Sequence, residues 1–346
     1  MSAPLRFAAI GLDHRHIYHL VGEMIAAGAQ CVGYCPLTSD PKVLEGFIER
    51  FPSLPALDRA AALADPGIDF IVSAAIPRDR AALGVAAMRA GKDFVVDKPG
   101  AITLAEVDEL DRVARETGRI HSICFSERFV VRACEVASRL VAAGEIGRVI
   151  QTVGLGPHRL NRAIRPAWFF DPAAYGGILT DIASHQIDQF IHFTGAHNVE
   201  IVTASTANNA VPDIPAFEDF GEILLHGEGS SGFIRVDWYT PDGLQAWGDG
   251  RLFILGTEGH IELRKYIDIE GRKGTDHVLL ANGKGTRHID ASGEPLSYFP
   301  RLLEDFRNRT STAMPEGHAL NVTRLAIAAQ DMARAQQRPT TGDLRR

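Results

Sequence analysis

The chain has 346 residues, of which 45% are hydrophobic and 23% charged, and its formal net charge is −7. Such a composition is ordinary for a globular protein, and the length allows two domains. The net charge argues against nucleic acid or an anionic membrane as the main partner, and no apolar run approaches a membrane span. Four cysteines without a CxxC motif predict reduced thiols and a cytoplasmic location.

Strand and helix patterns alternate over the first third of the chain. This alternation predicts a Rossmann-type α/β domain, a parallel sheet covered by helices, over residues 1–122. Parallel sheets bind ligands at the carboxyl ends of their strands, where Gly11, Pro77 and Lys98 are expected. The predicted strands are 5–11, 30–34, 69–75, 93–96 and 120–125, and the predicted helices are 15–27, 42–51, 78–89 and 104–117.

From about residue 148 the pattern changes to successive strands with few helices. The segments GEGS at 227–230 and GTEG at 256–259 separate strand pairs and predict hairpins. The second domain, residues 123–346, is therefore predicted to be α+β with a mostly antiparallel open sheet. Its predicted strands are 149–154, 201–207, 220–226, 232–239, 251–255, 260–263 and 277–281, its helices are 301–309 and 322–335, and 338–346 form a tail.

The segment GGILTDIASHQID, residues 176–188, joins a glycine turn to a helical pattern. Asp181, His185 and Asp188 fall on one side of this helix, opposite an apolar stripe. The polar side is either a solvated face or an acid–base site, since a histidine beside carboxylates can transfer protons near neutral pH. Asp188 is expected only to cap or bridge. The stripe consists of Leu179, Ile182, Ala183, Gln186, Ile187 and Phe190.

Five segments resemble, in order, motifs of the glucose–fructose oxidoreductase / inositol dehydrogenase / MocA family, and the resemblance covers nearly the whole chain. In that family a first domain binds NAD(P) and a second binds a sugar or polyol. The resemblance therefore implies an NAD(P)-dependent dehydrogenase acting on CH–OH groups. The segments are FVVDKPGAIT at 94–103, SERF at 126–129, AAGEIGRV at 142–149, FFDPAAYGGILTDIASHQID at 169–188 and LGTEGHIEL at 255–263.

The resemblance implies that Lys98, Asp181 and His185 are the catalytic residues. Oxidation of a secondary alcohol removes the hydroxyl proton while a hydride leaves for the nicotinamide. His185 can accept that proton, and Lys98 can stabilise the charge that develops on the oxygen. Asp181 can bind a neighbouring hydroxyl or orient the imidazole.

The dinucleotide fingerprint of the family is altered in this chain. Where G-x-G-x-x-G is expected the sequence is GLDHRH at 11–16, which retains only the first glycine. Amides at the helix start, with Arg15 or a histidine, are expected to bind the pyrophosphate in a modified cradle. The residues expected to bind the cofactor are Gly11, Asp13, His14, Arg15, Cys35, Ala75, Pro77, Asp97, Lys98 and Pro99.

The sequence leaves the choice between NAD and NADP open. The second predicted strand is followed by CPLTSD, in which Asp40 is the nearest acid for a ribose hydroxyl, and no arginine is present for a 2′-phosphate. Pro77 matches the family's proline in the next turn, but Arg78 replaces its asparagine and a following histidine is missing.

Two groups of side chains have the chemistry of metal ligands. One comprises Asp13, His14, His16 and His19, and the other Asp181, His185 and His158. Polar residues commonly open helices without a metal, and Lys98 already supplies a positive charge. We therefore predict no metal.

Basic and aromatic residues precede the catalytic helix in GPHRLNRAIRPAWFF, residues 156–170. Such donors suit a polyhydroxylated small molecule, and the arginines suit a carboxylate or phosphate on it; alternatively they contact another subunit or solvent. Trp238, Tyr239 and Trp247 are expected in the core of the sheet face or in an oligomer contact, and the resemblance implies a homo-oligomer, a dimer or tetramer. The residues expected to bind substrate are Lys98, Arg128, His158, Arg159, Trp168, Asp181 and His185.

The function predicted from the sequence is hydride transfer between nicotinamide and a secondary hydroxyl of a sugar, polyol or sugar acid. One alternative is a glycoside-cleaving or epimerising enzyme that uses transient oxidation. Another is a non-catalytic dinucleotide or sugar sensor, for which the altered glycine fingerprint would be tolerable.

Overall fold

The computed structural model describes residues 3–336, and their packing forms two compact units. Of the described residues, unit 1 comprises 3–130, 164–176 and 295–324, and unit 2 comprises 131–163, 177–294 and 325–336. Each unit is therefore assembled from segments that are distant in sequence. The predicted tail at 338–346 lies outside the described residues.

The elements lie close to their predicted positions. The strands are β1 Arg6–Leu12, β2 Gln30–Tyr34, β3 Phe70–Ala74, β4 Asp93–Asp97, β5 His121–Cys124, β6 Val149–Pro157, β7 Glu200–Ala207, β8 Phe220–Gly227, β9 Ser230–Asp237, β10 Arg251–Gly256, β11 Gly259–Arg264, β12 His277–Asn282 and β13 Gly285–Asp290. The helices are α1 His16–Ala26, α2 Pro41–Arg50, α3 Arg59–Ala64, α4 Pro77–Arg89, α5 Leu104–Thr117, α6 Ser126–Phe129, α7 Arg132–Ala142, α8 Pro172–Tyr175, α9 Ser184–Thr194, α10 Tyr298–Asn308 and α11 His318–Gln336.

Unit 1 contains the predicted parallel sheet. Its five strands have the order β2-β1-β3-β4-β5, and every neighbouring pair is parallel. The central strands β3 and β4 are buried along their whole length, as expected for a sheet covered by helices. Thr103 and Glu106 form a capping box at the start of α5, and Gly118 ends that helix in a left-handed conformation. The Rossmann-type prediction is confirmed.

Unit 2 contains the predicted open sheet of eight strands, in the order β13-β12-β11-β10-β6-β9-β8-β7. All its pairs are antiparallel except β6 with β9, and both predicted hairpins, β8–β9 and β10–β11, are present. The sequence analysis missed β13 and the helices α3, α6, α7 and α8. Within residues 3–336 no helix is long and apolar enough to cross a membrane.

Helix α9 packs on β6 and β9, and glycines on the sheet make room for it. A Cβ on Gly154 would lie 2.7 Å from Cγ of Gln186, and a Cβ on Gly156 would lie 2.8 Å from Nε2 of the same side chain. A Cβ on Gly232 would be about as close to the ring of Phe190. The helix is therefore seated at a depth that larger residues on these strands would not allow.

Candidate functional site

The turn after β1 lies against the end of β3 in unit 1. Gly11 has a φ of +79°, and a Cβ at this position would lie 2.6 Å from Cβ of Ala75. The backbone N–H of His14 donates to the carbonyl of Ala74 at 3.0 Å. Pro77 occupies the first turn of α4, directly beyond β3. The predicted residues Gly11, His14, Ala75 and Pro77 are therefore neighbours at the carboxyl edge of the sheet.

Asp97, the last residue of β4, is the centre of a buried polar cluster. Its Oδ1 lies 3.0 Å from Nδ1 of His16, and its Oδ2 lies 3.8 Å from Nδ1 of His14 and 3.2 Å from Nη2 of Arg80. Burial alone would raise the pKa of Asp97, but His16 and Arg80 outweigh it and hold that pKa well below its usual range. Burial, with His16 beside it, lowers the pKa of His14 well below its usual value. At neutral pH the cluster therefore holds an ionised carboxylate and a neutral His14.

Arg80 is a functional residue that the sequence analysis missed. Its guanidinium is 1% exposed and donates to the carbonyls of Ala75 at 2.7 Å, Asp97 at 2.9 Å and Pro99 at 2.9 Å, and also to that of Lys98. Arg80 thus fixes the backbone on both sides of Lys98, which is itself 5% exposed and joined to Pro99 by a cis peptide bond. Only its position, three residues after Pro77, could have indicated this role.

The donors His14, His16 and Asp97 lie within 4.8 Å of one another, the spacing of a metal site. Asp13 and His19, which the sequence grouped with these histidines, are not members, and Asp97 takes their place. No second such group occurs among residues 3–336, so Asp181, His185 and His158 do not form one. Arg80 already neutralises Asp97, and a divalent cation would lie beside that guanidinium. The hydrogen bonds and charges of these residues therefore form an ion cluster in which Arg80 occupies one side of Asp97.

The remaining cofactor positions also fit a dinucleotide. Helix α1 begins after the exposed Arg15, its N-cap residue, so a cation is present at the helix start for a pyrophosphate, whereas the amide of His16 donates to Nδ1 of His14 at 3.3 Å. The carboxylate of Asp13 accepts from the backbone N–H of Ser39 at 2.5 Å, so this side chain is directed towards the loop after β2. Cys35 is buried in that loop, and burial raises the pKa of its thiol to about 11.

Besides Lys98, two predicted substrate residues belong to unit 1, Arg128 and Trp168. Trp168 lies in a 3-10 turn, Ala167–Phe170, with its ring centroid 6.3 Å from that of His14. Its buried Nε1 has no hydrogen-bond partner among the described residues. Arg128, in α6 directly after β5, is 8% exposed, and its guanidinium lies 4.1 Å from the ring centroid of Phe129. Trp168 therefore lies close to His14, and Arg128 directly follows the end of β5.

Asp181 and His185 belong to unit 2 and lie on consecutive helical segments. Asp181 is in a π-helical turn, Leu179–Ala183, which leads into α9, so the regular α-helix predicted here is wrong over its first turn. Such turns are often found at functional sites. His185 is 2% exposed and Asp188 0%, which also excludes the solvated face that the sequence left open. His185 and Asp188 are therefore buried, as the predicted apolar stripe is, whereas Asp181 is partly exposed.

The start of this π-helical turn is anchored by two polar residues that the sequence analysis did not single out. The amide of Leu179 donates to Oε1 of Gln330 at 2.9 Å, and the amide of Ile178 donates to Oε2 of Glu218 at 2.8 Å. Gln330 and Glu218 are themselves hydrogen-bonded at 2.8 Å. Burial raises the pKa of Glu218, although the amide of Ile178 partly offsets this. These bonds satisfy backbone donors that a helix start leaves unpaired.

His158 and Arg159 directly follow β6 in unit 2. The ring of His158 lies between two indoles, with centroids 5.3 Å from Trp238 and 4.5 Å from Trp247. Nδ1 of His158 lies 3.1 Å from the carbonyl oxygen of Gly156, the residue against which Gln186 packs. His158 is therefore held at the same end of β6 as the helix that carries His185. Trp238 is buried, as expected, whereas Trp247 is 42% exposed.

Unit 1 also contains a cavity of about 750 Å³, which lies away from the predicted site residues. Residues around the start of β5, including Ile120 and His121, line it together with residues of α5 and α10. None of the predicted site residues is among its lining residues. The candidate site is therefore defined by the strand ends and not by this cavity.

Comparison with known proteins finds matches to two family models and to a curated relative. The oxidoreductase family described as having an NAD-binding Rossmann fold matches residues 37–125, and the GFO/IDH/MocA C-terminal domain matches residues 135–262. The chain is 26% identical over 320 residues to scyllo-inositol 2-dehydrogenase (NAD(+)) of Bacillus subtilis (strain 168), covering 88% of each protein.

Solved structures share the fold over nearly the whole chain. A protein assigned to the oxidoreductases from Erwinia carotovora atroseptica SCRI1043 is 48% identical, with a TM-score of 0.91 and coverage of 95% of this chain and 98% of that one. Levoglucosan dehydrogenase in complex with NADH and levoglucosan is 19% identical, with a TM-score of 0.75 and coverage of 96% and 98%. The second likeness shows the fold alone.

The family matches and the relatives named as dehydrogenases indicate an oxidoreductase with a nicotinamide cofactor. The chain belongs to the GFO/IDH/MocA oxidoreductase family. It is an NAD(P)-dependent dehydrogenase, as the sequence predicted, and its cofactor is NAD or NADP.

Proposed function

We propose that the protein transfers a hydride between nicotinamide and a secondary hydroxyl of a sugar, polyol or sugar acid, with Lys98, Asp181 and His185 as catalytic residues. The observation that carries the proposal is the placement of His185. It is 2% exposed and lies one turn after Asp181 on a helix anchored at its start by Gln330 and Glu218. A buried imidazole on a fixed helix suits a general base better than it suits a surface role.

The proposed roles follow from the chemistry of each side chain. His185 accepts the hydroxyl proton, and the Lys98 ammonium stabilises the negative charge that grows on the same oxygen. Asp181 hydrogen-bonds a neighbouring hydroxyl or orients His185. The nicotinamide, when bound, supplies the hydride acceptor. Arg80 holds the backbone of Lys98 in place through the carbonyls on either side of it.

The proposed substrate class is a polyhydroxylated small molecule. His158 follows β6 beside the rings of Trp238 and Trp247, and the buried indole Nε1 of Trp168 has no hydrogen-bond partner among the described residues, so the predicted substrate residues include aromatic rings and polar groups that suit hydroxyl groups. The relatives named scyllo-inositol 2-dehydrogenase, D-xylose dehydrogenase and levoglucosan dehydrogenase act on molecules of this kind. Arg128, Arg159 and Lys98 would also suit a carboxylate on the substrate.

Absorbance of the reduced cofactor, measured with a panel of polyols, aldoses, anhydrosugars and uronates, tests the proposal. For a substrate that is turned over, we expect Lys98→Met and His185→Gln each to lower kcat by about 10²- to 10⁴-fold. Fluorescence titration should give dissociation constants for NADH close to that of the unchanged protein. The matched controls are Lys42→Met, at an exposed lysine of α2, and His192→Gln, at an exposed histidine of α9.

Other outcomes identify the alternatives. Release of an aglycone or inversion of a carbon without net formation of NADH would indicate transient oxidation. Binding of dinucleotide and sugar without turnover of any compound would indicate a sensor. Full turnover by either catalytic-site variant would contradict the assigned roles.

A further inference from the structure

The loop after β2, which in Rossmann domains meets the adenosine ribose, has no acid of its own in position to do so. Thr38 and Ser39 occupy the loop, and the first acid is Asp40. Asp40 is the N-cap of α2, and its Oδ1 accepts from the amide of Lys42 at 3.1 Å. The carboxylate that this loop supplies is therefore committed to a helix cap.

A second carboxylate reaches the same loop from the turn after β1. Oδ1 of Asp13 accepts from the amide of Ser39 at 2.5 Å, from Oγ of Ser39 at 2.8 Å and from Oγ1 of Thr38 at 3.3 Å. Asp13 is 9% exposed, so this is a partly desolvated arrangement and not a surface contact. The residue that replaces the second fingerprint glycine thus brings an acid to the position where β2 lacks one.

The electrostatics of Asp13 distinguish the two forms of the cofactor. Its three hydrogen-bond donors are neutral, and no lysine or arginine among residues 3–336 forms an ion pair with it. Its second carboxylate oxygen, Oδ2, has no hydrogen bond to the described residues. A free carboxylate oxygen accepts from a ribose 2′-hydroxyl, whereas a 2′-phosphate of like charge is repelled.

We propose that Asp13 is the ribose-binding acid of this protein and selects NAD over NADP, in place of the acid that usually follows β2. This inference rests on the proposed function, because it requires the protein to bind a dinucleotide. The altered fingerprint thereby gains a role in cofactor recognition. Asp13, at the position of the second fingerprint glycine, supplies the carboxylate that the loop after β2 does not offer to the ribose. Thr38 and Ser39 hold that acceptor in place.

Fluorescence titration of the full-length protein with NADH and with NADPH tests the inference without reference to turnover. We expect the unchanged protein to bind NADH at least about 50-fold more tightly than NADPH. Asp13→Asn keeps an oxygen acceptor for Ser39 but removes the charge, and it should reduce this preference by about 10-fold or more. The matched control Asp40→Asn removes an equal charge nearby and retains a good helix cap, so it should leave the preference within about 2-fold.

Circular dichroism and the melting temperature verify that each variant is folded. If Asp13→Asn does not fold, Asp13→Ser replaces it in the titration. An unchanged NADH to NADPH ratio in a folded Asp13 variant overturns the inference while the proposed function stands. A preference for NADPH in the unchanged protein also overturns it. Failure of the unchanged protein to bind either dinucleotide overturns both the inference and the proposed function.

Discussion

The charge of Asp97 is compensated by a buried arginine, and at the scale of single residues this pair holds the strand end that carries Lys98. A carboxylate that is 2% exposed would be costly unless paired, and Arg80 supplies both a charge and hydrogen bonds to the backbone. The position of Lys98 at the end of a strand was predictable from the sequence, because a proline directly follows it after a buried strand. The contacts of Arg80 with this strand end were not predictable, because its partners lie 17 to 19 residues further along the chain.

Replacement of Arg80 should therefore be far more damaging than replacement of its neighbour Arg78. Arg80→Gln leaves Asp97 buried without its cation, and we expect it to lower the free energy of unfolding by about 3 to 5 kcal/mol. Arg78 is half exposed, and its contacts with Asp79 and Asp171 are at 3.9 and 3.8 Å, so Arg78→Gln should cost less than about 1 kcal/mol. Urea unfolding of both variants measures the difference. Equal costs would mean that Arg80 does not support the strand end.

At the scale of elements, the π-helical turn and α9 form a rigid carrier for Asp181 and His185. Their position depends on glycines in the opposing strands and on the hydrogen bonds from Gln330 and Glu218. Periodicity in the sequence predicted a helix and its buried stripe, since these are local properties. It could not predict the π-helical turn, because that irregularity is set by the contacts at the helix start.

Gly177 should be the most sensitive glycine at this helix start. It has a φ of +100°, and a Cβ there would lie 2.3 Å from Cδ of Gln330. Gly177→Ala combines backbone strain with a clash, and we expect a loss of about 2 to 4 kcal/mol in unfolding free energy. Gly195, at the other end of α9, also has a positive φ of +69° but open space around it, so Gly195→Ala should cost about 1 kcal/mol.

Chemical denaturation of the two glycine variants provides the measurement. The double variant Gly177→Ala, Gln330→Ala should recover part of the loss by removing the clash. If the two single substitutions cost the same, Gln330 does not fix the start of the helix.

At the scale of the whole molecule, buried histidines make stability dependent on pH. Burial lowers the pKa of His121 to about 4 and that of His19 to about 4, and the pKa of His14 is also lowered. The ring nitrogens of His121 are inaccessible and have no partners among the described residues. Below a pH of about 6.5 these histidines bind protons in the unfolded chain but stay neutral in the folded chain. The free energy of unfolding therefore falls as the pH is lowered towards 4.

The variant His121→Phe isolates one of these contributions. Phenylalanine keeps the stacking on Phe94, whose ring centroid is 5.7 Å away, but cannot be protonated. Between pH 7 and pH 4.5 the unchanged protein should lose about 2 kcal/mol more unfolding free energy than the variant. His197→Gln, at an exposed histidine, is the control and should follow the unchanged protein. Parallel losses in His121→Phe and the unchanged protein would contradict the prediction.

The outer face of the unit 2 sheet carries a row of apolar side chains across four strands. Leu224, Phe233, Val153 and Phe253 are neighbours in the register of β8, β9, β6 and β10. Phe233 is 37% exposed, although Arg235 and Asp237 follow it on the same face of β9, so the apolar surface is a patch and not the whole strand. We propose that this patch contacts a second copy of the chain, since the resemblance implies a homo-oligomer and leaves its interface open.

Sedimentation or light scattering tests the homo-oligomer. Phe233→Glu places a charge in the middle of the patch and should shift the protein to a smaller species, since burying an unpaired charge is costly. Ile269→Glu, at an isoleucine that is 62% exposed in the same unit, should leave the mass unchanged. A monomer before any substitution, or an unchanged mass in a folded Phe233→Glu variant, would exclude this interface.

The sequence by itself determined the alternating strands and helices of unit 1, the hairpins of unit 2, and the family to which the chain belongs. These features are encoded locally, in hydrophobic periodicity, turn residues and short motifs. The tertiary structure decided which residues support the candidate cofactor-binding and catalytic side chains: Ser39 binds Asp13 across 26 residues, Arg80 binds Asp97 across 17, and Gln330 binds Leu179 across 151. Such pairs are hidden in the sequence because a hydrogen bond depends on the distance between two atoms in space, and folding alone sets that distance.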